Sequence, residues 1–186
     1  MRLIIVHHEP GSGRAERLYQ ALASTVEALL GVRVERRTPS SLDGKPDAPV
    51  VSLFALPGPH HYSVERWAGP NLRAGPIPPG ILALHVARLT PPGAGSATIG
   101  YVAHGDGGAK RRWAETVAEK AARLTRVDYR VASLPHGCRD PCIPLVLGPG
   151  RHNMGKPTIL EASFDLVTAW LASTLQDTLR QTLNTA

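Results

Sequence analysis

The chain has 186 residues, 42% of them hydrophobic, so it is long and apolar enough to fold around a core of its own. Its net charge of +6 favours anionic partners, but the basic residues are scattered and aromatic residues make up only 5%, which argues against nucleic acid. No apolar stretch reaches the roughly 18 residues of a membrane span, and the N-terminal apolar run is too short for a signal peptide. We therefore expect a cytoplasmic protein with neither a nucleic-acid nor a membrane partner.

The chain begins with a predicted strand, a glycine-rich loop and an amphipathic helix. Apolar residues 3–6 predict the strand, and His7 and His8 follow it directly, before the loop EPGSG. An apolar stripe at helical spacing then predicts a helix that Gly31 ends. The stripe consists of Leu18, Leu22, Val26 and Leu29.

Three further strands are predicted in the first half. The segment VRVERR alternates apolar and charged residues, and PVVSLFAL is the continuous apolar run typical of a parallel strand covered on both faces. The latter strand ends in LPGPHH, which places His60 and His61 just after a Pro-Gly turn. Residues 81–89, ILALHVARL, predict a fourth strand in which His85 is a core residue.

The second half repeats this order of elements. The strand and loop GYVAHGDGGA precede a helix with apolar residues at the same spacing as the first, and VDYRVA and PCIPLVLG follow as strands. His104 and His152 correspond to His8 and His60, at offsets of 96 and 92 residues. Residues 158–164 predict a fourth strand, and residues 165–183 a closing helix. The predicted halves are therefore 1–90 and 98–186, joined by a linker at 91–97.

These patterns predict an α/β fold of two similar halves, each with a small, mainly parallel sheet flanked by helices. Parallel strands place their carboxyl ends at one edge of the sheet, where ligands bind. Each half therefore carries two histidines at that edge. Packing of the halves about a pseudo-twofold axis would bring His8, His60, His104 and His152 to one cleft.

Histidine can hold a metal and accept a proton. Neutral imidazole binds Co, Ni, Fe, Zn and Cu, and its pKa near 6.5 lets it take protons around neutral pH. Both abilities suit the insertion of a divalent metal into a tetrapyrrole, in which the metal loses water and two pyrrole protons leave. That reaction requires no nucleotide, and the sequence contains neither a P-loop nor a GxGxxG motif.

The strand followed by LFALPGPHH or LVLGPGRHN resembles the strand–G–x–H signature of the sirohydrochlorin cobaltochelatase family, and VHHEPGSG and VAHGDGG resemble its first motif. The resemblance implies a three-layer chelatase-like fold and ATP-independent insertion of Co²⁺, Ni²⁺ or Fe²⁺ into a carboxylate-rich tetrapyrrole such as sirohydrochlorin, as in cobalamin biosynthesis. It implies that the catalytic, metal-binding histidines are His8 with His60 and His104 with His152. The chain departs from the family between its second and third strands, where TPSSLDGKPDA and SLPHGCRD replace a full helix.

Basic side chains near the predicted edge are candidates for binding the substrate carboxylates. They are Arg14, Lys110 and Arg151. Glu9 and Asp106 either accept a proton and orient an imidazole, or cap the helices that follow them. Glu65 and Trp67 are candidates for lining the pocket. For Trp67 the alternative is a role in packing.

Several alternatives stay open. The protein is either a chelatase, a non-catalytic carrier of tetrapyrrole or metal, or a small hydrolase whose glycine-rich loops bind phosphate. It is either a monomer with pseudo-twofold halves or a homodimer. We expect Cys138 and Cys142 to be free thiols, with a disulfide or a metal site shared across a dimer as the alternatives.

Overall fold

The chain folds into an α/β structure with two small parallel sheets flanked by helices. The structure is a computed structural model, and it describes residues 2–105, 107–150 and 152–183. The first sheet has the order β2-β1-β3-β4, and all its neighbouring strands are parallel. Its strands are β1 (Arg2–Val6), β2 (Arg33–Arg37), β3 (Val50–Ser52) and β4 (Leu72–Ala74).

The second sheet has three parallel strands in the order β6-β5-β7. They are β5 (Ser96–Tyr101), β6 (Asp128–Ser133) and β7 (Cys142–Pro144). In both sheets the first strand in the chain lies between the second and the third. The central strands β1 and β5 are almost wholly buried, which explains the apolar run of β1 and the absence of charged residues from β5.

Six α-helices flank the sheets in the part of the chain that the structure describes. They are α1 (Gly13–Leu30), α2 (Pro59–Ala68), α3 (Pro79–Leu89), α4 (Gly107–Thr125), α5 (Ile159–Ala162) and α6 (Phe164–Leu183). Ser12 caps α1 by accepting a hydrogen bond from the backbone N–H of Ala15 at 3.2 Å. Gly31 ends that helix in the left-handed conformation, at φ 63°. None of the helices in the described part of the chain is long and apolar enough to cross a membrane.

Two helices cross from their own half of the chain to pack against the other half. Helix α3, which follows the first sheet, packs against α4 of the second, and the C-terminal helix α6 packs against α1 and β4 of the first. One buried apolar cluster consequently contains residues from both halves, among them Leu22, Leu82, Ile99, Val117 and Leu171. The crossing helices give the two sheets a common core.

Two predicted strands are wrong. Residues 81–89 belong to helix α3, which Pro79 begins at its first position. The helix packs against α4 and α6 and buries Leu82, Ala83, His85 and Val86, but Leu84 on its exposed face is also apolar, so the segment shows no clear amphipathic period. Residues 158–164 contain the short helix α5, which opens with a capping box between Thr158 and Glu161. The predicted closing helix corresponds to α6.

The crossovers that lead to β3 and β7 are short. The first contains only a 3₁₀ turn at Pro39–Ser41, and residues 134–141 form a turn and an extended loop before β7. Cys138 and Cys142 form a disulfide across this second loop, so the expectation of two free thiols is wrong. A Cβ atom at Gly100 would lie 2.9 Å from Sγ of Cys138. The loop and its disulfide therefore cover the middle of β5, where a crossover helix would otherwise pack.

Candidate functional site

The carboxyl ends of the central strands open onto one cleft of about 710 Å³. Both halves contribute to its walls, through the loops after β1, β3, β5 and β7 and the first turns of α1, α2 and α4. All four predicted histidines line it. Between them the walls are largely apolar, with Ala15, Ala55, Leu56, Val102, Leu145 and Leu147.

The first histidine pair comes from the end of β1 and the start of α2. His8 lies two residues beyond β1, and His60 lies in the first turn of α2, directly after Pro59. Their ring centroids are 5.0 Å apart and the rings are nearly perpendicular, at 86°. The edge of His8 also packs against Phe54, with centroids 4.7 Å apart. Both imidazoles are exposed toward the cleft while the preceding strands are buried.

The second pair lies in the corresponding loops of the other half. His104 follows β5 and His152 follows β7, and their ring centroids are 5.5 Å apart at an angle of 59°. Gly105 and Pro59 are in contact across the cleft, since a Cβ atom at Gly105 would lie 2.5 Å from Cγ of Pro59. This contact brings the loops of the two pairs against each other.

The spacing within each pair suits two ligands of one metal. A metal–nitrogen bond of about 2.0–2.1 Å places the centroid of a bound imidazole ring about 3.2 Å from the metal, so two rings at a tetrahedral angle have centroids roughly 5 Å apart. Within residues 2–105, 107–150 and 152–183, no group of three or more His, Cys, Asp or Glu side chains is arranged to hold a metal. A metal held by one pair would therefore have two histidine ligands, with its other positions left to water or a ligand.

The environment of His8 keeps its ring neutral. Desolvation by the surrounding protein lowers the pKa of His8 to about 4, and the electrostatic interactions with His60 and Lys110 act in the same direction. Although the ring is accessible from the cleft, protein encloses it on most sides. At neutral pH its nitrogen lone pair is available to a metal, but the low pKa makes His8 a weak proton acceptor.

The three predicted carboxylate-binding residues have different positions. Lys110 lines the cleft, and its Nζ donates a hydrogen bond to the backbone carbonyl of His104. Arg14 does not line the cleft, because its guanidinium forms an ion pair with Glu161 at 2.6 Å. Arg151 lies outside the described residues, as does Asp106.

Glu9 lines the cleft beside His8. Its carboxylate accepts a hydrogen bond from the hydroxyl of Ser40, and this bond, with one from Thr38, lowers its pKa. Since Ser12 caps α1, the capping alternative for Glu9 is wrong. The carboxylate adds a fixed negative charge to a cleft that also contains the ammonium of Lys110.

Two other predicted residues lie away from the cleft. Glu65 is exposed on α2. Trp67 donates from its indole nitrogen to the carbonyl of Gly44 at 2.9 Å, and the guanidinium of Arg37 lies 5.7 Å from its ring centroid. Trp67 therefore packs over the 38–48 loop, in line with the packing alternative.

Tyr19 is a cleft residue that the sequence did not reveal. It lies in α1 and lines the cleft, where its hydroxyl would be 3.1 Å from a Cβ atom at Gly148. The buried ring of His7 stacks on Tyr19, with centroids 4.0 Å apart, and its Nδ1 lies 2.7 Å from the carbonyl oxygen of His8. His7 thus packs inward as a support beneath His8. The sequence pattern that could have identified Tyr19 is its helical spacing with Ala15 and Leu22. This row of residues lies one position from the apolar stripe that we predicted.

Comparison of the chain with protein-family models, curated proteins and solved structures finds no significant match. The function of the cleft is therefore inferred from the chemistry of the residues that line it.

Proposed function

We propose that the protein is a metal chelatase that inserts Co²⁺, Ni²⁺ or Fe²⁺ into a carboxylate-rich tetrapyrrole such as sirohydrochlorin, without ATP. The observation that carries this proposal is the presence of two histidine pairs in a single cleft. The metal and the tetrapyrrole are both substrates of the reaction.

The two histidines of a pair hold the incoming metal in this proposal. Two imidazoles leave part of the coordination sphere open, so the metal can exchange its remaining waters for pyrrole nitrogens. His8 acts as a ligand, because its pKa of about 4 makes it a weak base. The other rim histidines or solvent then accept the pyrrole protons.

The shape and lining of the cleft support a macrocyclic substrate. Its volume of about 710 Å³ is in the range of pockets that enclose organic ligands. Leu56, Leu145 and Leu147 provide apolar surface for the flat face of a ring, whereas Lys110 provides a cation for a peripheral carboxylate. A single bound metal ion would require neither the apolar walls nor this volume.

The arrangement of the halves supports an internal duplication of a chelatase-like unit. The strand at the centre of each sheet leads into one histidine of a pair, and the third strand of each half leads to the other. We propose that residues 1–90 and 98–186 derive from one such unit. The duplication explains why both pairs face one cleft.

A carrier of tetrapyrrole or metal is the second candidate. The short crossovers favour it, because Pro39–Ser41 and the disulfide loop leave the cleft with less surrounding structure than a full helix would give. A carrier would bind the same ligands without releasing a metallated product.

The decisive experiment is an anaerobic assay with sirohydrochlorin and Co²⁺, followed by visible absorbance. We expect metallation faster than the rate without protein, and loss of that rate in His60→Ala, in His152→Ala, or in both. His136→Ala is the matched control, because His136 is an exposed histidine outside the cleft. A shifted substrate spectrum with a rate equal to the blank would identify a carrier. The absence of both a spectral shift and a catalysed rate would overturn both candidates.

A further inference from the structure

The phenol hydroxyl of Tyr19 is a buried polar group at the wall of the cleft. Tyr19 lies in α1, and the residue is only 4% exposed although it lines the cleft. The stack with His7 holds its ring from one side, with an interplanar angle of 14°. The hydroxyl lies against Gly148, where a Cβ atom would be 3.1 Å from the phenol oxygen. It is therefore placed between α1 of the first half and the loop after β7 of the second.

This hydroxyl lacks a partner within the protein. Among residues 2–105, 107–150 and 152–183, none forms a hydrogen bond with it. Most buried hydroxyls are paired, because an unpaired one has lost its hydrogen bonds to water without replacement. Burial also raises the pKa of Tyr19 above its usual value, so the phenol keeps its proton and can donate a hydrogen bond. Because Tyr19 lines the cleft, a bound ligand can supply the partner.

We propose that Tyr19 is a ligand-binding residue that donates a hydrogen bond to a carboxyl oxygen at the edge of the tetrapyrrole. The inference rests on the proposed function, in which the metal takes the ring nitrogens and the peripheral carboxylates remain as acceptors. A hydrogen bond from a phenol to an ionised carboxylate is roughly twice as strong as one between neutral groups. Leu147, which we assign to the flat face of the ring, directly precedes Gly148, so the edge of that ring can reach the hydroxyl.

The variant Tyr19→Phe removes the hydroxyl and keeps the ring that stacks on His7. Because the hydroxyl has no partner in the free protein, its removal should not lower the free energy of unfolding in urea. In an anaerobic absorbance titration, the same variant should bind sirohydrochlorin about tenfold more weakly than the wild type, as expected for the loss of a hydrogen bond to a charged group.

Tyr129→Phe is the matched control. The hydroxyl of Tyr129 lies away from the cleft and is hydrogen-bonded to Thr90 at 2.6 Å and to Thr125 at 3.0 Å. Its removal should therefore lower the free energy of unfolding and leave the affinity for sirohydrochlorin unchanged. The two tyrosines are expected to give opposite results in the same two measurements.

The cobalt-loaded macrocycle identifies the atoms that Tyr19 contacts. Cobalt-sirohydrochlorin keeps the peripheral carboxylates, but it has lost both pyrrole protons and its ring nitrogens are bound to the metal. The factor by which Tyr19→Phe weakens binding should therefore be the same for the metal-free and the cobalt-loaded macrocycle. A factor confined to the metal-free form would assign the hydroxyl to the ring nitrogens and overturn the carboxyl assignment.

The outcomes separate this inference from the proposed function. Equal affinities of the wild type and Tyr19→Phe for sirohydrochlorin overturn the role of Tyr19 and leave the proposed function standing. A clear loss of stability in ligand-free Tyr19→Phe also overturns the inference, because it would show that the hydroxyl is used within the protein. An absence of sirohydrochlorin binding to the wild type overturns both the inference and the proposed function.

Discussion

His85 and Ser163 form a buried hydrogen bond between the two halves of the chain, with 3.0 Å between Nδ1 and Oγ. Both residues are fully buried, and the Nε2 atom of His85 has no hydrogen-bond partner in the described part of the structure. Desolvation by burial lowers the pKa of His85 to about 4, with a smaller effect from the positive charge of Arg88. His85 is therefore a neutral core residue at physiological pH, although it lies in a helix and not in the predicted strand.

The neutral state of His85 predicts a pH-dependent stability. The unfolded chain binds a proton at His85 below about pH 6.5, whereas the folded chain resists it down to about pH 4. Its contribution is complete above pH 6.5 and is lost as the pH falls toward 4, by up to about 3 kcal/mol. Urea unfolding across this range should show a weaker pH dependence in His85→Gln than in the wild type. Equal pH dependence in the two proteins would contradict the assignment.

Replacement of His60 and His152 together should change function and spare stability. Both side chains lie at the cleft, His60 exposed and His152 half-buried, and each belongs to a different pair. We expect His60→Ala/His152→Ala to abolish Co²⁺ binding and to change the free energy of unfolding by less than about 1 kcal/mol. Calorimetric Co²⁺ titration and urea unfolding measure the two effects. A large stability loss would show instead that the imidazoles contribute to packing.

His7 should respond in the opposite way. Its ring is buried and stacks on Tyr19, so His7→Ala removes packed side-chain volume from beneath the cleft. We expect a loss of about 2–4 kcal/mol in the free energy of unfolding, as for other large-to-small core substitutions. His136→Ala, at an exposed position, should change it by less than about 0.5 kcal/mol in the same urea experiment. Similar values for the two variants would contradict a packed role for His7.

The disulfide should stabilise the second half. A bridge between residues four apart reduces the entropy of the unfolded chain by an amount worth about 2 kcal/mol in the loop-closure model. Reduction of the wild type should lower its free energy of unfolding by that order. Cys138→Ala/Cys142→Ala should resemble the reduced protein and should not respond to reductant. If reductant destabilises this variant as well, the effect does not come from the disulfide.

Strand-ending histidines were predictable because two local signals coincide. A buried parallel strand requires an apolar run, and the chain must leave the sheet at its carboxyl edge, where Pro and Gly allow a tight turn. The positions of His8 and His60 follow from these signals alone. The pairing geometry did not follow, because helix α2 begins at Pro59 and the turn signal PGP conceals that helix.

The missed elements lacked a distinguishing pattern. Strand β4 is three residues long and has Arg73 at its centre, so it shows no apolar run. The apolar segment of α3 is compatible with a strand or a buried helix until its neighbours are known. Helix α5 did carry a local signal, the Thr158–Glu161 capping box. The disulfide depends on the loop geometry around Cys138, which the spacing of the two cysteines does not determine.

The exchange of α3 and α6 between the sheets makes the halves mutually dependent for folding. Severed after residue 90, the first half would lose α6 and expose the apolar faces of α1 and α3, and the second would lose the cover that α3 provides for α4. Arg88 of α3 and Asp165 of α6 join the same two elements through a bidentate ion pair, with nitrogen–oxygen distances of 2.6 and 2.8 Å. The protein should therefore melt in a single cooperative transition. A substitution that destabilises the loop of one histidine pair should lower the melting temperature of both halves together.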